Sequence, residues 1–228
     1  MFKSYIVFTI LFLIVFCSCS PNKISKIKEI ANDDDKIKLR SLADTIFLGH
    51  DEYDELVRYG YQLMINTPIY IGPNGEKGNY TGNLMSCTNC HLDAGTRPYG
   101  LSLHSSFANY PQYRSRENKV LNIEDRINNC VERPHNGIPL PLDSKEMLAI
   151  VCYLKWLGES VPMGQTVEGS KLPEIALLER AANPKKGEPI YVKHCASCHG
   201  EKGEGKLNEN GNKYLYPPLW GDNSYQKG

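Results

Sequence analysis

The sequence predicts a mostly α-helical protein with two tandem domains of the same kind. The pattern Cys-x-x-Cys-His, the attachment signature of a c-type haem, occurs twice, at 87–91 and at 195–199. A candidate entry helix stands before each copy, and an apolar helix follows the first copy. The chain of 228 residues also holds 19 glycines and 14 prolines, so much of the remainder is irregular. These features predict two class I-like cytochrome c domains, the second incomplete at its C-terminus.

The two pentapeptides carry the predicted chemistry. Two thiols three residues apart reach the two vinyl groups of one porphyrin, and the histidine that follows is placed under the ring, where neutral imidazole binds iron. We therefore predict two covalently bound haem c groups, with both histidines as iron ligands. The residues that hold them are Cys87, Cys90, His91, Cys195, Cys198 and His199. A thioredoxin-like redox pair or a zinc site is the weaker alternative, because zinc motifs seldom place His directly after the second Cys.

Length and charge set broad limits on the function. The chain is long enough for one medium domain or two small ones. Its 26 basic and 26 acidic side chains balance. That balance gives no indication of binding to nucleic acid or to an acidic membrane surface.

The N-terminus has the features of a targeting segment. Residues 1–19 begin with Lys3 and continue with an apolar run at 5–16, which is short for a membrane span. The sequence at Cys19 is similar to a lipoprotein cleavage site. We predict export to the periplasm with lipidation at Cys19; simple secretion and an uncleaved anchor are the alternatives. Polar residues 20–45 are predicted to form a tether from the membrane to the domain.

The first domain is predicted to span residues 46–158. Apolar spacing indicates a helix over 51–66, and Gly60 within it indicates close contact with another helix, since glycine there is otherwise costly. A second apolar helix is predicted over 144–157, ended by Gly158.

A linker is predicted at 159–178 and the second domain at 179–228. The linker contains several glycines and prolines. The second domain repeats the order of an entry helix followed by a haem motif. A proline carbonyl in Pro217-Pro218 is a suitable acceptor for the outer N–H of His199, which would fix its tautomer.

The distal ligand of the second haem is not evident. No Met, His or Cys follows His199. Lysine amines are unusual ligands, and they are the candidates left: Lys202, Lys206, Lys213 and Lys227. We expect that the ligand and a closing helix lie beyond Gly228. A five-coordinate iron or a ligand from the first domain, such as Met163, is the alternative.

The distal ligand of the first haem has several candidates. They are His104, Cys130, His135, Met147 and Cys152. Cys130 and Cys152 remain after the haem and signal cysteines are counted, and a disulfide between them is one interpretation. Cys152 has the sequence environment of ordinary core, on an apolar helix. Cys130 ends a short helix with Arg126 four residues before it, hence on the same face, and a neighbouring cation favours the thiolate that ligates iron. Arg126 could instead bind a haem propionate.

The chain resembles the dihaem cytochromes c of the thiosulfate dehydrogenase family over about residues 46–228. The stretches that carry the resemblance are 87–96, 110–116, 124–130, 136–137 and 217–222. The family joins two thiosulfates into tetrathionate, or runs the reverse. The resemblance implies that Cys130 is the distal thiolate on the active-site haem and that Arg116 and Arg126 hold the sulfur anion. It also implies electron transfer to the second haem and then to an outside acceptor, or the reverse from a donor.

One departure from the family pattern concerns the site. The family often has a small hydroxyl residue and a Met after the cysteine segment, where this chain has Pro134-His135. His135 could compete with Cys130 for iron, but the helix end at Pro134 is expected to turn it away. This departure keeps a non-catalytic dihaem electron carrier as the alternative function.

Overall fold

The structure is a computed structural model that describes residues 37–211 and 214–224. The predicted signal peptide, the lipidation at Cys19 and most of the predicted tether lie outside these residues. Within the described part of the chain, no helix is long and apolar enough to cross a membrane.

Helices dominate the regular structure, as predicted. The described residues form six α-helices, α1 (Glu52–Ile65), α2 (Thr67–Ile71), α3 (Ile123–Glu132), α4 (Lys145–Leu157), α5 (Pro184–His194) and α6 (Ala196–His199). Two antiparallel hairpins are formed by β1 (Gln112–Arg114) with β2 (Lys119–Leu121), and by β3 (Lys206–Leu207) with β4 (Tyr214–Tyr216). Short 3-10 turns lie at Leu42–Phe47, Cys87–Asn89, Asp93–Gly95 and Phe107–Asn109.

The centre of the fold is the packing of α1 against α4. The predicted contact at Gly60 is confirmed, because a Cβ there would lie 2.1 Å from the carbonyl oxygen of Ala149 and 2.7 Å from the Cβ of Tyr153. Glycine therefore lets the two backbones approach to a distance that a side chain would prevent. The buried residues of the two helices include Val57, Leu63, Met64, Met147, Ile150, Tyr153, Leu154 and Leu157.

This helix pair also supports the segment after the first haem motif. The hydroxyl of Tyr153 is fully buried and donates to the carbonyl of Ala94 at 2.8 Å. Cys152 is buried in the core, as its sequence environment predicts. Cys130 and Cys152 are both free thiols. The disulfide interpretation is therefore wrong for this structure.

The end of the predicted tether packs on the first domain rather than extending from it. The backbone carbonyl of Arg40 accepts a hydrogen bond from His104 Nε2 at 2.7 Å. The guanidinium of Arg40 lies 5.0 Å from the centre of the Trp156 ring. Ser160 Oγ donates to the carbonyl of Lys38 at 2.8 Å. These contacts fix the chain entry beside the C-terminal end of α4.

The predicted linker divides into two parts. Its first part is bound to the first domain: the Tyr99 N–H donates to the Gly169 carbonyl at 2.7 Å, and Ser105 Oγ accepts from the Val167 N–H at 2.9 Å. Residues 171–183 are exposed throughout. Within the predicted linker, the continuously exposed stretch thus begins at residue 171.

Candidate haem and substrate site

A cavity of about 520 Å³ lies between α1, α3, α4 and the first haem motif. This volume is within the usual range for cofactor pockets. Its walls are largely apolar, with Leu63, Met64, Ile71, Leu103, Ile123, Ile127, Val131, Ile150 and Leu154 among the lining residues. An apolar slot with a few polar groups is the environment that a flat porphyrin requires.

His91 has the geometry of an iron ligand. Its Nδ1 donates to the carbonyl of Leu101 at 2.7 Å, which fixes the tautomer and leaves the lone pair of Nε2 free. Burial lowers the pKa of His91, so the ring is neutral, the form that binds iron. His91 lines the cavity, and the predicted assignment therefore fits the site.

The two cysteines of the first motif differ in environment. The Cys87 N–H donates to Thr67 Oγ1 at 3.0 Å, and Cys87 lines the cavity. Burial raises the pKa of the Cys87 thiol to about 11, so the sulfur is a neutral thiol before any attachment. Cys90 is exposed and lies outside the lining. Cys87, Cys90 and His91 are the residues that would hold a haem covalently at this cavity.

Helix α3 places a thiol and a cation together in the cavity wall. Asn122 caps the helix by accepting from the Asp125 N–H at 2.7 Å. Buried Asn128 fixes the rotation of the helix by a pair of hydrogen bonds with the backbone of Leu140, at 2.8 and 3.0 Å. The opposite side of the helix then faces the cavity, where Arg126 Nη1 donates to Cys130 Sγ at 3.0 Å.

Of the five candidate distal ligands, Cys130 and His135 line this cavity. His104 lies elsewhere, and both its ring nitrogens make hydrogen bonds, to Ser102 Oγ and to the Arg40 carbonyl. Met147 and Cys152 are core residues outside the lining. The structure thus reduces the candidates to one thiol and one imidazole.

The expectation that Pro134 turns His135 away is wrong. His135 is buried, lines the cavity and has its Nε2 4.0 Å from Cys87 Sγ. The chain folds back because the His135 N–H donates to the Cys130 carbonyl at 3.1 Å, and the next residue, Asn136, takes a left-handed conformation with φ 51°. Burial lowers the pKa of His135, so this ring is also neutral.

The hairpin of β1 and β2 brings a different arginine to the cavity from the one predicted. Side chains alternate along β1, so Gln112 and Arg114 line the cavity, and Tyr113 between them is 60% exposed. Arg116 lies in the turn, where the alternation ends, and it is exposed and outside the lining. Arg114 is therefore a site residue that the sequence reasoning missed, although the two-residue period of a strand could have indicated it.

A buried ion pair holds this hairpin against α3. Glu117 follows Arg116 in the turn, its side chain is 10% exposed, and its Oε1 accepts from Arg133 Nη1 at 3.0 Å. The same oxygen accepts from Asn129 Nδ2 at 3.4 Å. The position of the hairpin arginines relative to Cys130 thus depends on Glu117.

The second haem motif is also prepared for a histidine ligand. His199 Nδ1 donates to the carbonyl of Pro217 at 3.0 Å, as the sequence predicts. Cys195 and Cys198 are half-buried free thiols, and Lys206 Nζ donates to the Ser197 carbonyl at 2.5 Å. The distal candidates Lys202 and Met163 are exposed, and Lys213 and Lys227 fall outside the described residues.

A zinc site has no support in the described part of the chain. There, no group of three or more His, Cys, Asp and Glu side chains is placed to hold a metal ion. The single free imidazole nitrogen that each motif presents suits an axial haem ligand instead.

Comparison with known proteins agrees with this assignment. Residues 78–163 match the family model described as SoxA/TsdA, cytochrome c domain, and residues 182–226 match that of cytochrome c oxidase, cbb3-type, subunit III. The protein is thus a c-type cytochrome with two cytochrome c domains, and such domains imply covalently bound haem c.

Four relatives that are 34–35% identical to this chain are thiosulfate dehydrogenases. The chain is 35% identical to that of Stutzerimonas stutzeri over 79% of this chain and 56% of the relative, and 35% identical to that of Allochromatium vinosum over 77% and 63%. The structure of the thiosulfate dehydrogenase TsdBA from Marichromatium purpuratum aligns with a TM-score of 0.59 at 28% identity, over 83% of this chain and 40% of that chain. The predicted resemblance to the thiosulfate dehydrogenases is confirmed, and the chain spans a little over half the length of the curated relatives it matches.

Proposed function

We propose that the protein is an exported oxidoreductase that joins two thiosulfate ions into tetrathionate, or runs the reverse reaction. The observation that carries the proposal is the Arg126–Cys130 contact of 3.0 Å in the wall of the cavity that His91 also lines. A simple electron carrier has no need for a charged side chain held against a thiol. The thiosulfate dehydrogenase relatives support the same assignment.

In this proposal the first domain holds the active-site haem through Cys87, Cys90 and His91, with Cys130 as the distal ligand. The second haem is held by Cys195, Cys198 and His199. Each haem supplies a one-electron acceptor when bound.

The cationic side chains bind and orient the substrate. Thiosulfate is a dianion, so two of them meet only where positive charge offsets their repulsion. Guanidinium groups suit the sulfonate ends because their planar forks donate two hydrogen bonds in parallel. Arg126 is placed for this role beside Cys130, and Arg114 joins it from β1. The resemblance implies the same role for Arg116, whose exposed side chain lies at the turn of the hairpin, outside the cavity lining.

Cys130 supplies the covalent step. Its thiolate would form a sulfur–sulfur bond with the outer sulfur of one thiosulfate, and the two electrons released would pass one to each of the two haems when bound. The second thiosulfate attacks this bond at the substrate sulfur, so tetrathionate forms and the Cys130 thiolate is the leaving group. Charge balances in both steps, and no proton is needed. Arg126 holds the thiolate oriented by its 3.0 Å hydrogen bond.

The test is substitution of Cys130 in the full-length, haem-loaded protein. Cys130→Ala should abolish tetrathionate formation from thiosulfate with ferricyanide as acceptor, while haem content stays unchanged. Cys152→Ala is the matched control, because that free thiol is buried outside the cavity lining. Thiolate ligation should also give the wild type a low-spin ferric signal distinct from His/Met, which Cys130→Ala removes. Normal turnover in Cys130→Ala would remove this residue from the mechanism, and no turnover in the wild type would favour the electron carrier.

The location of the protein is part of the proposal. Haem attachment outside the cytoplasm and the features of residues 1–19 both support export to the periplasm, with lipidation at Cys19. Radiolabelled palmitate should therefore enter the wild type and not Cys19→Ser. Equal labelling of both would contradict the lipid anchor.

A further inference from the structure

We propose that Asn136 is a positioning residue that docks the second domain on the wall of the first site and thereby sets the rate of electron transfer between them. Its Nδ2 donates to the carbonyl of Tyr214 at 2.7 Å. This bond crosses from the first domain to a strand of the second, within one compact unit of the chain. The inference rests on the proposed presence of two haems, but not on thiosulfate as the substrate.

On the second-domain side, the bond reaches the segment that orients His199. Tyr214 opens β4 and pairs with Leu207 of β3. The strand ends at Tyr216, and the next carbonyl, that of Pro217, accepts the Nδ1–H of His199 at 3.0 Å. The carbonyl that Asn136 binds, at the start of β4, and the carbonyl that orients His199, directly after the end of β4, are therefore three residues apart.

On the first-domain side, Asn136 belongs to a rigid part of the cavity wall. It follows His135, which lines the cavity, and its own N–H donates to the Arg133 carbonyl at 3.0 Å. The N–H of Gly137 donates to the carbonyl of Val131 at 2.9 Å, and the N–H of Ile138 donates to the carbonyl of Tyr80 at 2.8 Å. The side chain of His135 thus faces the first site, and the side chain of the next residue, Asn136, faces the second domain.

The residue type suits the position. Asn136 has φ 51°, a left-handed conformation that asparagine and glycine adopt at lower cost than most residues. Gly137 after it leaves no space for a side chain, since a Cβ there would lie 1.9 Å from the Tyr80 carbonyl oxygen. The backbone turn is therefore fixed, and it aims the carboxamide of Asn136 away from the cavity.

The bond matters because the connection between the domains is exposed. Residues 171–183 are exposed along their whole length, so the relative position of the domains depends on direct contacts. Removal of one neutral hydrogen bond at such an interface should lower the ratio of docked to undocked molecules about 2- to 10-fold. Electron transfer between the haems follows the docked fraction, so it should slow by up to the same factor.

The experiment uses the haem-loaded full chain with Asn136→Gly and Asn136→Asp. Both replacements tolerate the left-handed backbone, and both lack the N–H donor. Asn118→Gly is the matched control, because Asn118 also has φ 51° but lies in the turn of the first-domain hairpin. One electron is introduced by a photoexcited flavin, and its equilibration between the two haems is followed by absorbance. In parallel, the rate of protease cleavage within 171–183 reports docking.

Both Asn136 variants should slow the equilibration, by up to about 10-fold, and speed cleavage, with unchanged haem content and no change in Asn118→Gly. Wild-type equilibration in both Asn136 variants would overturn the inference, and so would an equal effect in the control. Neither readout uses thiosulfate. A wild type without thiosulfate turnover would thus contradict the proposed function alone, and an Asn136 variant with wild-type equilibration would contradict the docking role alone.

Discussion

Replacing Arg126 by Gln should reduce kcat/KM for thiosulfate about 10- to 150-fold in the full-length, haem-loaded protein. The guanidinium makes a hydrogen bond of 3.0 Å to Cys130 Sγ, and hydrogen bonds to charged groups contribute about 1.5–3 kcal/mol. A hydrogen bond of that strength from Arg126 to the sulfonate of thiosulfate, made in the transition state and absent from the free protein, converts to the stated factor in kcat/KM. Arg126→Lys keeps the charge without the planar fork, so its activity should lie between the two.

The assay is tetrathionate formation with ferricyanide, combined with a haem stain and the absorption spectrum. Arg97→Gln is the control, because Arg97 is paired with Asp93 on the surface and its side chain is 56% exposed. Its kcat/KM should stay within about twofold of the wild type, as for other exposed ion pairs. A kcat/KM in Arg126→Gln that equals this control would refute the reasoning, since Arg126 would then contribute nothing to binding the transition state.

Three further predictions follow from other contacts. Arg114→Gln should raise KM for thiosulfate more than Arg116→Gln, since Arg114 lines the cavity; the opposite order would mean that the hairpin turn closes over the substrate. Gly60→Ala should lower the free energy of unfolding by about 1–3 kcal/mol and the thermal midpoint by about 3–10 °C, because its Cβ would meet the α4 backbone. Gly187→Ala is the control, a helical site with open space around it, and an equal effect there would contradict the packing argument. His135 has a pKa lowered by burial, so stability should be full above about pH 6.5 and fall below it by at most about 1.4 kcal/mol per pH unit. Denaturant midpoints of His135→Gln should decline less between pH 7 and 5, and parallel profiles would show that His135 does not contribute.

The elements that periodicity determines could be predicted from the sequence. The helices predicted over 51–66 and 144–157 form as α1 and α4, and Gly60 marks their contact, because both depend on a repeated apolar face and on one missing side chain. The pairing of Arg126 with Cys130 is equally local, since residues four apart share a helix face. Such features need no knowledge of the tertiary fold.

The features that the sequence reasoning missed depend on how irregular segments turn. His135 faces the cavity because Asn136 takes a left-handed conformation, which the sequence permits but does not require. Arg116 leaves the cavity because a four-residue turn interrupts the strand alternation after Arg114. The docking of residues 38–40 on α4 depends on contacts with residues more than 60 positions away, which no local pattern reports.

The segment from Ile123 to Ile138 has three roles that the haem motifs do not have. It holds Arg126 and Cys130 in the cavity wall, it returns His135 to the same cavity, and it extends Asn136 to the second domain. Attachment of the haems depends instead on the two Cys-x-x-Cys-His motifs. Substitutions between Ile123 and Ile138 should therefore change ligation, turnover and electron transfer while leaving haem content intact, and it is within this segment that Pro134-His135 departs from the pattern of the thiosulfate dehydrogenases.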